Sequence, residues 1–281
     1  MSSRKDLDSR LPSPDRTVEI RPEREVTEQI SLHSDNETAP SNHTVTNLIL
    51  RNLSDAKEEA TVVYDIDVDT AEEVIKELDR IIENRSLRLS YNSRLQVLKL
   101  VFLPSQIHDG HQPWLHNAIR AWTLEGLLLP QEADGLEVLG FESFGGPYIS
   151  SRKEPDQCVI PETMTIPTVV VESGWSESRA QLHRDRDLWL IGGLGSVQIV
   201  IILKWSKTPQ RSIKGDIEVF DLDAFGNIRT LQQEVVNITR GQLFGSALPA
   251  GQNPETVFTL SLNDLRDIAY RCIRREGFLP A

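Results

Sequence analysis

The chain has 281 residues, of which 39% are hydrophobic, and its formal net charge at pH 7 is −12. This charge argues against broad, sequence-independent binding of nucleic acid, which needs a cationic face, but it leaves room for a locally basic or metal-bridged cleft. Two cysteines are too few for a disulfide framework, and the sequence shows neither an apolar signal core nor a run of membrane-spanning length. We expect an intracellular protein, in the cytoplasm or the nucleus, without a membrane partner.

The first part of the chain differs in composition from the rest. Residues 1–60 are rich in Ser, Pro, Asn and charged side chains and show no hydrophobic period. This composition predicts a disordered, acidic and polar tail over residues 1–60. Order is expected to begin near Thr61, with a single domain over residues 61–281.

The predicted domain opens with a helix and a hairpin. Thr70 and Glu73 form a capping-box pattern, and apolar residues follow at helical spacing as far as Asn84. Asn92-Ser93 then separates two apolar runs, as in a β-hairpin. The first half therefore predicts two hairpin strands, a helix and a third strand, at Leu87–Tyr91, Leu95–Leu103, Gln112–Leu128 and Leu136–Phe144.

The second half predicts a strand–helix–strand unit. A short strand over Gln157–Ile160 and the valine run Val169–Val171 can lie side by side if the chain turns through Thr163–Pro167. Ser176 or Ser178 can cap the helix that follows. The remaining elements are a central strand, a hairpin and a closing helix that starts at Ser261, with the strands at Val197–Trp205, Gly215–Leu222 and Ile228–Val236. This order predicts an α/β (α+β) sandwich with a mixed sheet flanked by helices.

Two acidic residues stand at the ends of neighbouring predicted strands. Asp156 precedes the first of them, and Glu172 follows the three valines of the second. If the strands are paired, both carboxylates can converge on one hard cation, and Mg²⁺ is usually held by one or two carboxylates together with substrate phosphate. The alternative is structural: Asp156 would be a solvated turn residue, and Glu172 would pair with a nearby arginine.

Three segments in this order resemble a family of uncharacterised fungal proteins: FLPSQIHDGH, RKEPDQCVIP and PTVVVESGWSESRAQLHRDRDLWL. These proteins are similar to the Uma-type restriction-endonuclease family of the PD-(D/E)XK nuclease-like superfamily, and the resemblance covers about Leu87 to Trp205. It implies a restriction-endonuclease-like fold and Mg²⁺-dependent hydrolysis of phosphodiesters. It also implies that Asp156 and Glu172 hold the metal, with Asp109 as a third metal-binding residue and His108 beside it at the rim of the site.

The chain departs from this pattern at one position. The superfamily places a lysine two residues after the second acid, where it orients the attacking water and stabilises charge on the phosphate, but here the residue is Gly174. Arg186 on the following helix or Lys204 on the next strand is the expected substitute, although arginine transfers protons poorly. The alternatives are a catalytically inactive binding module of the same fold and an accessory protein of a biosynthetic pathway. Nucleic acid is the partner that a nuclease implies, although the net charge does not favour it.

Overall fold

Two β-sheets and the helices packed against them make up most of the described chain. The computed structural model describes residues 27–31, 42–55, 59–81, 87–102, 104–137, 144–231 and 235–281. The strands are Thr27–Ser31 (β1), Ala60–Asp65 (β2), Leu87–Asn92 (β3), Val97–Phe102 (β4), Leu136–Glu137 (β5), Arg152–Lys153 (β6), Gln157–Pro161 (β7), Val169–Gly174 (β8), Ile199–Lys207 (β9), Ser212–Leu222 (β10), Ile228–Leu231 (β11), Val236–Thr239 (β12), Val257–Leu260 (β13) and Leu279–Pro280 (β14). The helices are Asn42–Asp55 (α1), Val68–Ile81 (α2), His111–Leu124 (α3), Pro130–Asp134 (α4), Arg179–Gly192 (α5), Arg240–Phe244 (α6) and Leu262–Arg275 (α7). The fold class is therefore mixed α/β, as the sequence predicts.

The first sheet has a different environment on each of its faces. Its strand order is β1-β2-β4-β3-β6, with β1 parallel to β2 and the other pairs antiparallel. Because successive side chains of a strand point to opposite faces, Leu98 and Leu100 pack with α1 and α2 in an apolar cluster, whereas Lys99 between them points to the opposite face. That opposite face carries the cations of the site described below.

The second sheet contains the predicted central strand. Its order is β11-β10-β9-β8-β7-β5, with β14 beside β10. β8 and β9 are parallel and are joined through α5, while β7 and β10 flank them in antiparallel pairing. Residues 199–205 of β9 are all buried, because α3 and α7 lie on one side of the sheet and α5 lies on the other.

The start of α5 is determined locally. The Ser178 side chain accepts from the N–H of Gln181, and the Gln181 side chain accepts from the N–H of Ser178, so the two residues form a capping box. Of the two serines that the sequence offers as caps, Ser178 is therefore the one used. This cap orients α5 so that Leu182, Leu188 and Trp189 are buried against β8 and β9.

Most predicted elements are confirmed, with shifted ends. The β3–β4 and β10–β11 hairpins, α2, α3, α5 and α7 all form, and Ser261 caps α7. Of the predicted strand Ile228–Val236, β11 covers Ile228–Leu231, and residues 232–234 lie outside the described residues. Of the predicted strand Leu136–Phe144, β5 covers two residues, and residues 138–143 lie outside the described part.

The structure describes two elements within the predicted disordered tail. Residues 1–60 were expected to lack structure, yet the structure describes β1 and α1 within them. Val45, Ile49 and Leu53 of α1 are buried against α2 and the first sheet at helical spacing. The polar residues next to these three positions hide the helical spacing in the sequence.

The assignment of residues 61–281 to one domain stays a prediction. None of the described helices combines the length and the apolar character needed to cross a bilayer.

Candidate active site

Strand pairing brings the two predicted acids together. β7 and β8 pair antiparallel with Gln157 opposite Val171, so Asp156 and Glu172 occupy neighbouring positions at the same end of the two strands. The turn through residues 163–167 that this pairing requires is present. Both side chains are buried, and Glu172 is only 1% exposed.

Asp156 is held by donors on several sides. Its Oδ2 accepts from the N–H of Ser173 over 2.7 Å, and its Oδ1 pairs with Arg88. Arg88 also reaches Asp109, with Nη2 2.7 Å from Oδ1. Burial by itself raises the pKa of Asp156, but the positive charges of His108 and Arg88 outweigh it and hold that pKa well below its usual range.

Glu172 accepts from an indole and from a lysine. The Nε1–H of Trp189 donates to Oε1 over 2.6 Å, and Nζ of Lys153 lies 2.9 Å from Oε2. Burial raises the pKa of Glu172 to about 8, with Lys153 opposing this shift and the nearby Asp156 and Asp185 adding to it. Each oxygen of this carboxylate therefore already has a donor inside the protein.

The two acids belong to a larger set of buried charges. Nζ of Lys153 is also 3.2 Å from Asp185 on α5, and Lys99 pairs with both Asp185 and Glu177. The cations come from the first sheet and the acids come from the second sheet and α5. We call this set the buried ion network; its members are Arg88, Lys99, Lys153, Asp156, Glu172, Glu177 and Asp185.

Two histidines lie at the rim of the network. His108 is buried in a short 3-10 turn, His108–Gly110, with Nδ1 3.0 Å from Asp109 Oδ1 and Nε2 3.5 Å from Asp156 Oδ2. Burial lowers the pKa of His108, but the negative charge of Asp156 and the hydrogen bond to Asp109 prevail and raise it to about 9. Both ring nitrogens of His111 face carbonyl oxygens, those of His108 and Asp156, at 2.7 and 3.1 Å, while burial lowers its pKa.

The residues present do not fit a resident metal ion in this arrangement. All four carboxylate oxygens of Asp156 and Glu172 receive N–H donors from the protein. Asp109, the third predicted ligand, is engaged by Arg88 and His108. In the described part of the chain, no three His, Cys, Asp or Glu side chains are arranged to share an ion. The adjoining cavity measures about 20 Å³, which is room for a single water molecule.

The predicted cationic helpers engage other groups. Arg186 donates from Nε and Nη2 to Asp187 and lies over the ring of Phe220, with Cζ 4.6 Å from the centroid. Lys204 donates from Nζ to the carbonyl of Trp175 over 3.0 Å. The cation that contacts Glu172 is instead Lys153, on β6. A catalytic role for Arg186 or Lys204 stays a prediction.

The position of the missing lysine is closed by packing. A Cβ atom at Gly174 would lie 2.8 Å from Cδ1 of Leu182 and 3.3 Å from Cβ of Glu177. Both neighbours belong to α5 or the turn before it, so a side chain here would have to displace the end of the Leu182 side chain or move α5 away from β8. The glycine therefore matches the close approach of α5, and a larger residue at this position requires repacking around Leu182.

Sequence reasoning missed five members of the network, but two of them left a signal. Lys99 interrupts the apolar strand VLKLVF, and a lysine there must reach either solvent or a buried acid. Asp185 lies between Leu182 and Trp189 on the buried side of α5, where a carboxylate needs a partner. Arg88, Lys153 and Glu177 gave no comparable signal.

Comparisons with known proteins do not identify a family for this chain. No family model matches the chain, and no curated protein matches it. The functional assignment therefore depends on the arrangement of the side chains themselves.

Proposed function

We propose that the chain is a catalytically inactive, PD-(D/E)XK-like binding module whose two nuclease-type acids have become part of a structural ion network. One observation carries this proposal: all four oxygens of Asp156 and Glu172 are already engaged by donors of the protein. An acid pair saturated in this way has lost the free ligand positions through which Mg²⁺ would act.

Burial and charge support the same conclusion. Glu172 is 1% exposed, and a polymer such as DNA cannot reach it without separating the first sheet from α5. A raised pKa, about 8, also means that Glu172 binds a proton more readily than an ordinary carboxylate. The restriction-endonuclease-like fold belongs to this proposal and is supported by the parallel pair β8–β9, the crossing helix α5 and the acids at the strand ends.

Mg²⁺-dependent hydrolysis of a phosphodiester is the second candidate, and one observation favours it. Lys153 Nζ lies 2.9 Å from Glu172, so a lysine stands beside the acid pair although Gly174 has replaced the motif lysine. For this function, Asp156 and Glu172 would have to be free of Arg88 and Lys153. The two acids would then hold the metal, which would polarise the phosphate. Lys153 would then bear positive charge beside the scissile group.

A metal titration tests both candidates. An ion that binds only the folded state raises the midpoint of thermal unfolding as its concentration increases. We expect millimolar MgCl₂ or MnCl₂ to shift the wild type no more than Glu172→Gln or Asp156→Asn, and we expect no cleavage of labelled DNA or RNA. Asp264→Asn, an exposed change at the start of α7, is the matched control.

One pattern of results would reverse the assignment. It consists of a metal-dependent rise in the unfolding midpoint that Glu172→Gln abolishes, together with cleavage that is lost in Lys153→Met but kept in Asp264→Asn. These results would establish hydrolysis and exclude the inactive module.

A further inference from the structure

The described chain contains two lobes, each with an apolar core of its own. We call the first sheet with α1 and α2 the first lobe, and the second sheet with α3, α5 and α7 the second lobe. The core of the first lobe includes Val45, Ile49, Leu78, Leu98 and Leu100. Among the described residues, no member of the apolar clusters of the second lobe comes from the first lobe. Burial of apolar side chains therefore stabilises each lobe separately.

The seam where the two lobes meet is held by polar and charged side chains. Lys99 points away from the core of the first lobe and pairs with Glu177 and Asp185 of the second lobe. Beside it, the hydroxyl oxygens of Thr61 on β2 and Ser176 after β8 are 2.8 Å apart, and both residues are buried. The other ion pairs of the buried ion network also cross this seam or adjoin it. The described contacts between the lobes are therefore mainly electrostatic.

The seam leaves room for water. One cavity of about 30 Å³ lies between Val63 of β2 and Asp185 of α5, and another of about 20 Å³ lies between Val101 of β4 and Glu172 of β8. Both cavities are lined by residues of the two lobes, and each can hold about one water molecule. The seam therefore lacks the close packing of an apolar core.

A polar seam separates more easily than an apolar core does. The hydration that ionic groups lose on burial offsets much of their mutual attraction, and water hydrates both partners again once they part. Relative motion is the expected behaviour of two such units unless the interface between them is large and hydrophobic. Opening the seam should therefore need less free energy than unfolding either lobe.

We propose that the two lobes separate along the seam while their apolar cores stay intact, and that this motion gives water and ions access to Asp156 and Glu172. In the closed state, Arg88 of the first lobe pairs with Asp156, and Val101 lines the cavity beside Glu172. Opening moves both of these side chains away from the acids, so the seam gates the acid pair. The motion depends on the contacts between the lobes, whether or not the acids are catalytic.

Thiol labelling of the full, folded chain tests the proposal. Val101→Cys places a thiol on the seam, and Leu100→Cys places one in the apolar core of the first lobe, at the adjacent position of β4. Cys158, a free cysteine in an apolar cluster of the second lobe, is the reference in every sample. Iodoacetamide is the reagent, and peptide mass spectrometry measures the rate at each cysteine. We expect Val101→Cys to react at least about tenfold faster than Leu100→Cys and Cys158.

A disulfide across the seam is the second arm of the experiment. The side-chain oxygens of Thr61 and Ser176 are close enough for Thr61→Cys and Ser176→Cys together to form one. When it is oxidised, the thiol of Val101→Cys should react no faster than that of Leu100→Cys in the same background. If Leu100→Cys does not fold, Cys158 supplies the comparison.

Two results would overturn the proposal. Equal rates for Val101→Cys, Leu100→Cys and Cys158 without the disulfide would show that the seam opens only when the lobes unfold. A fast reaction of Val101→Cys that the disulfide leaves unchanged would show that β4 fluctuates locally while the lobes stay together. The labelling uses no metal ion, so its outcome is independent of the metal titration that tests the proposed function.

Discussion

The ammonium group of Lys153 lies 2.9 Å from the carboxylate of Glu172, and both side chains are buried. Lys153 also lies 3.2 Å from Asp185, so one cation serves two acids that belong to different elements. The burial of such charges is unfavourable unless each of them has a partner. The network therefore joins the first sheet to the second sheet and α5, and the first prediction follows from this role.

Removing Lys153 should be far more damaging than removing its neighbour Arg152. Lys153→Met leaves Glu172 and Asp185 buried without this cation, and we expect it to lower the free energy of unfolding by about 3–5 kcal/mol. Arg152 pairs with Asp79 in solvent, 38% and 54% exposed, so Arg152→Met should cost about 0–1 kcal/mol. Urea denaturation of both variants measures the difference, and similar losses would contradict a structural role for the network.

Adding a side chain at Gly174 should destabilise the protein. The Cβ of Gly174→Ala meets Leu182 at 2.8 Å, and overpacking of this kind costs about 1–3 kcal/mol. Gly110→Ala is the control, because its Cβ would lie 3.7 Å from its nearest neighbour and its backbone is helical. Thermal unfolding compares the two variants. A Gly174→Ala protein as stable as Gly110→Ala would show that Leu182 or α5 yields easily to a Cβ at this position.

Stability should fall as the pH rises above neutrality. The folded-state pKa of His108 is raised to about 9 from its ordinary value of 6.5, because the carboxylates of Asp156 and Asp109 outweigh the effect of burial. The folded protein therefore binds this proton more tightly than the unfolded chain does, and the stability it contributes is complete below about pH 6.5 and lost between pH 6.5 and 9. The pKa of Glu172 is also raised, to about 8 from an ordinary value of 4.5. Its contribution to stability is therefore complete below about pH 4.5 and lost between pH 4.5 and 8.

Denaturation of His108→Gln at several pH values isolates the first contribution. The variant should be less stable than the wild type at pH 6, and the difference between them should shrink towards pH 9. His116→Gln serves as a matched control, since His116 is an exposed histidine on α3. A difference between wild type and His108→Gln that stays constant with pH would show that folding does not change the pKa of this histidine.

The hydrogen bond that the Trp189 indole donates should contribute more to the free energy of unfolding than the hydrogen bond of a comparable buried tryptophan. Trp189 donates to the Glu172 carboxylate over 2.6 Å, whereas Trp122 donates to the neutral carbonyl of Thr259 over 3.0 Å. Both change to Phe with a similar loss of ring area, but hydrogen bonds to charged groups are stronger, about 1.5–3 against 0.5–1.5 kcal/mol. Because the pKa of Glu172 is about 8, its carboxylate is charged above that pH. At about pH 9, Trp189→Phe should therefore lower the free energy of unfolding more than Trp122→Phe. The excess should vanish when Glu172→Gln is also present.

The elements that the sequence predicted correctly share a local cause. Each of these elements depends on residues that are a few positions apart, so its pattern can be recognised without knowing the rest of the fold. Examples are the valines of β8, the apolar run in β9 and the Ser178 cap of α5. The proximity of Asp156 and Glu172 could also be predicted, because the two strands are close in sequence and a single turn joins β7 to β8.

The tertiary structure decided which charges meet those acids. Lys99 and Asp185 stand 86 positions apart and touch only because one face of the first sheet lies over α5. The sequence suggested Arg186 and Lys204 as the cations beside Glu172, yet Lys153 on β6 contacts it. The amino-acid sequence by itself therefore determined the mixed α/β fold class and the acid pair. Whether that pair faces a metal or a lysine depends on how two sheets and a helix pack, because electrostatic partners are set by distance in space and not by separation along the chain.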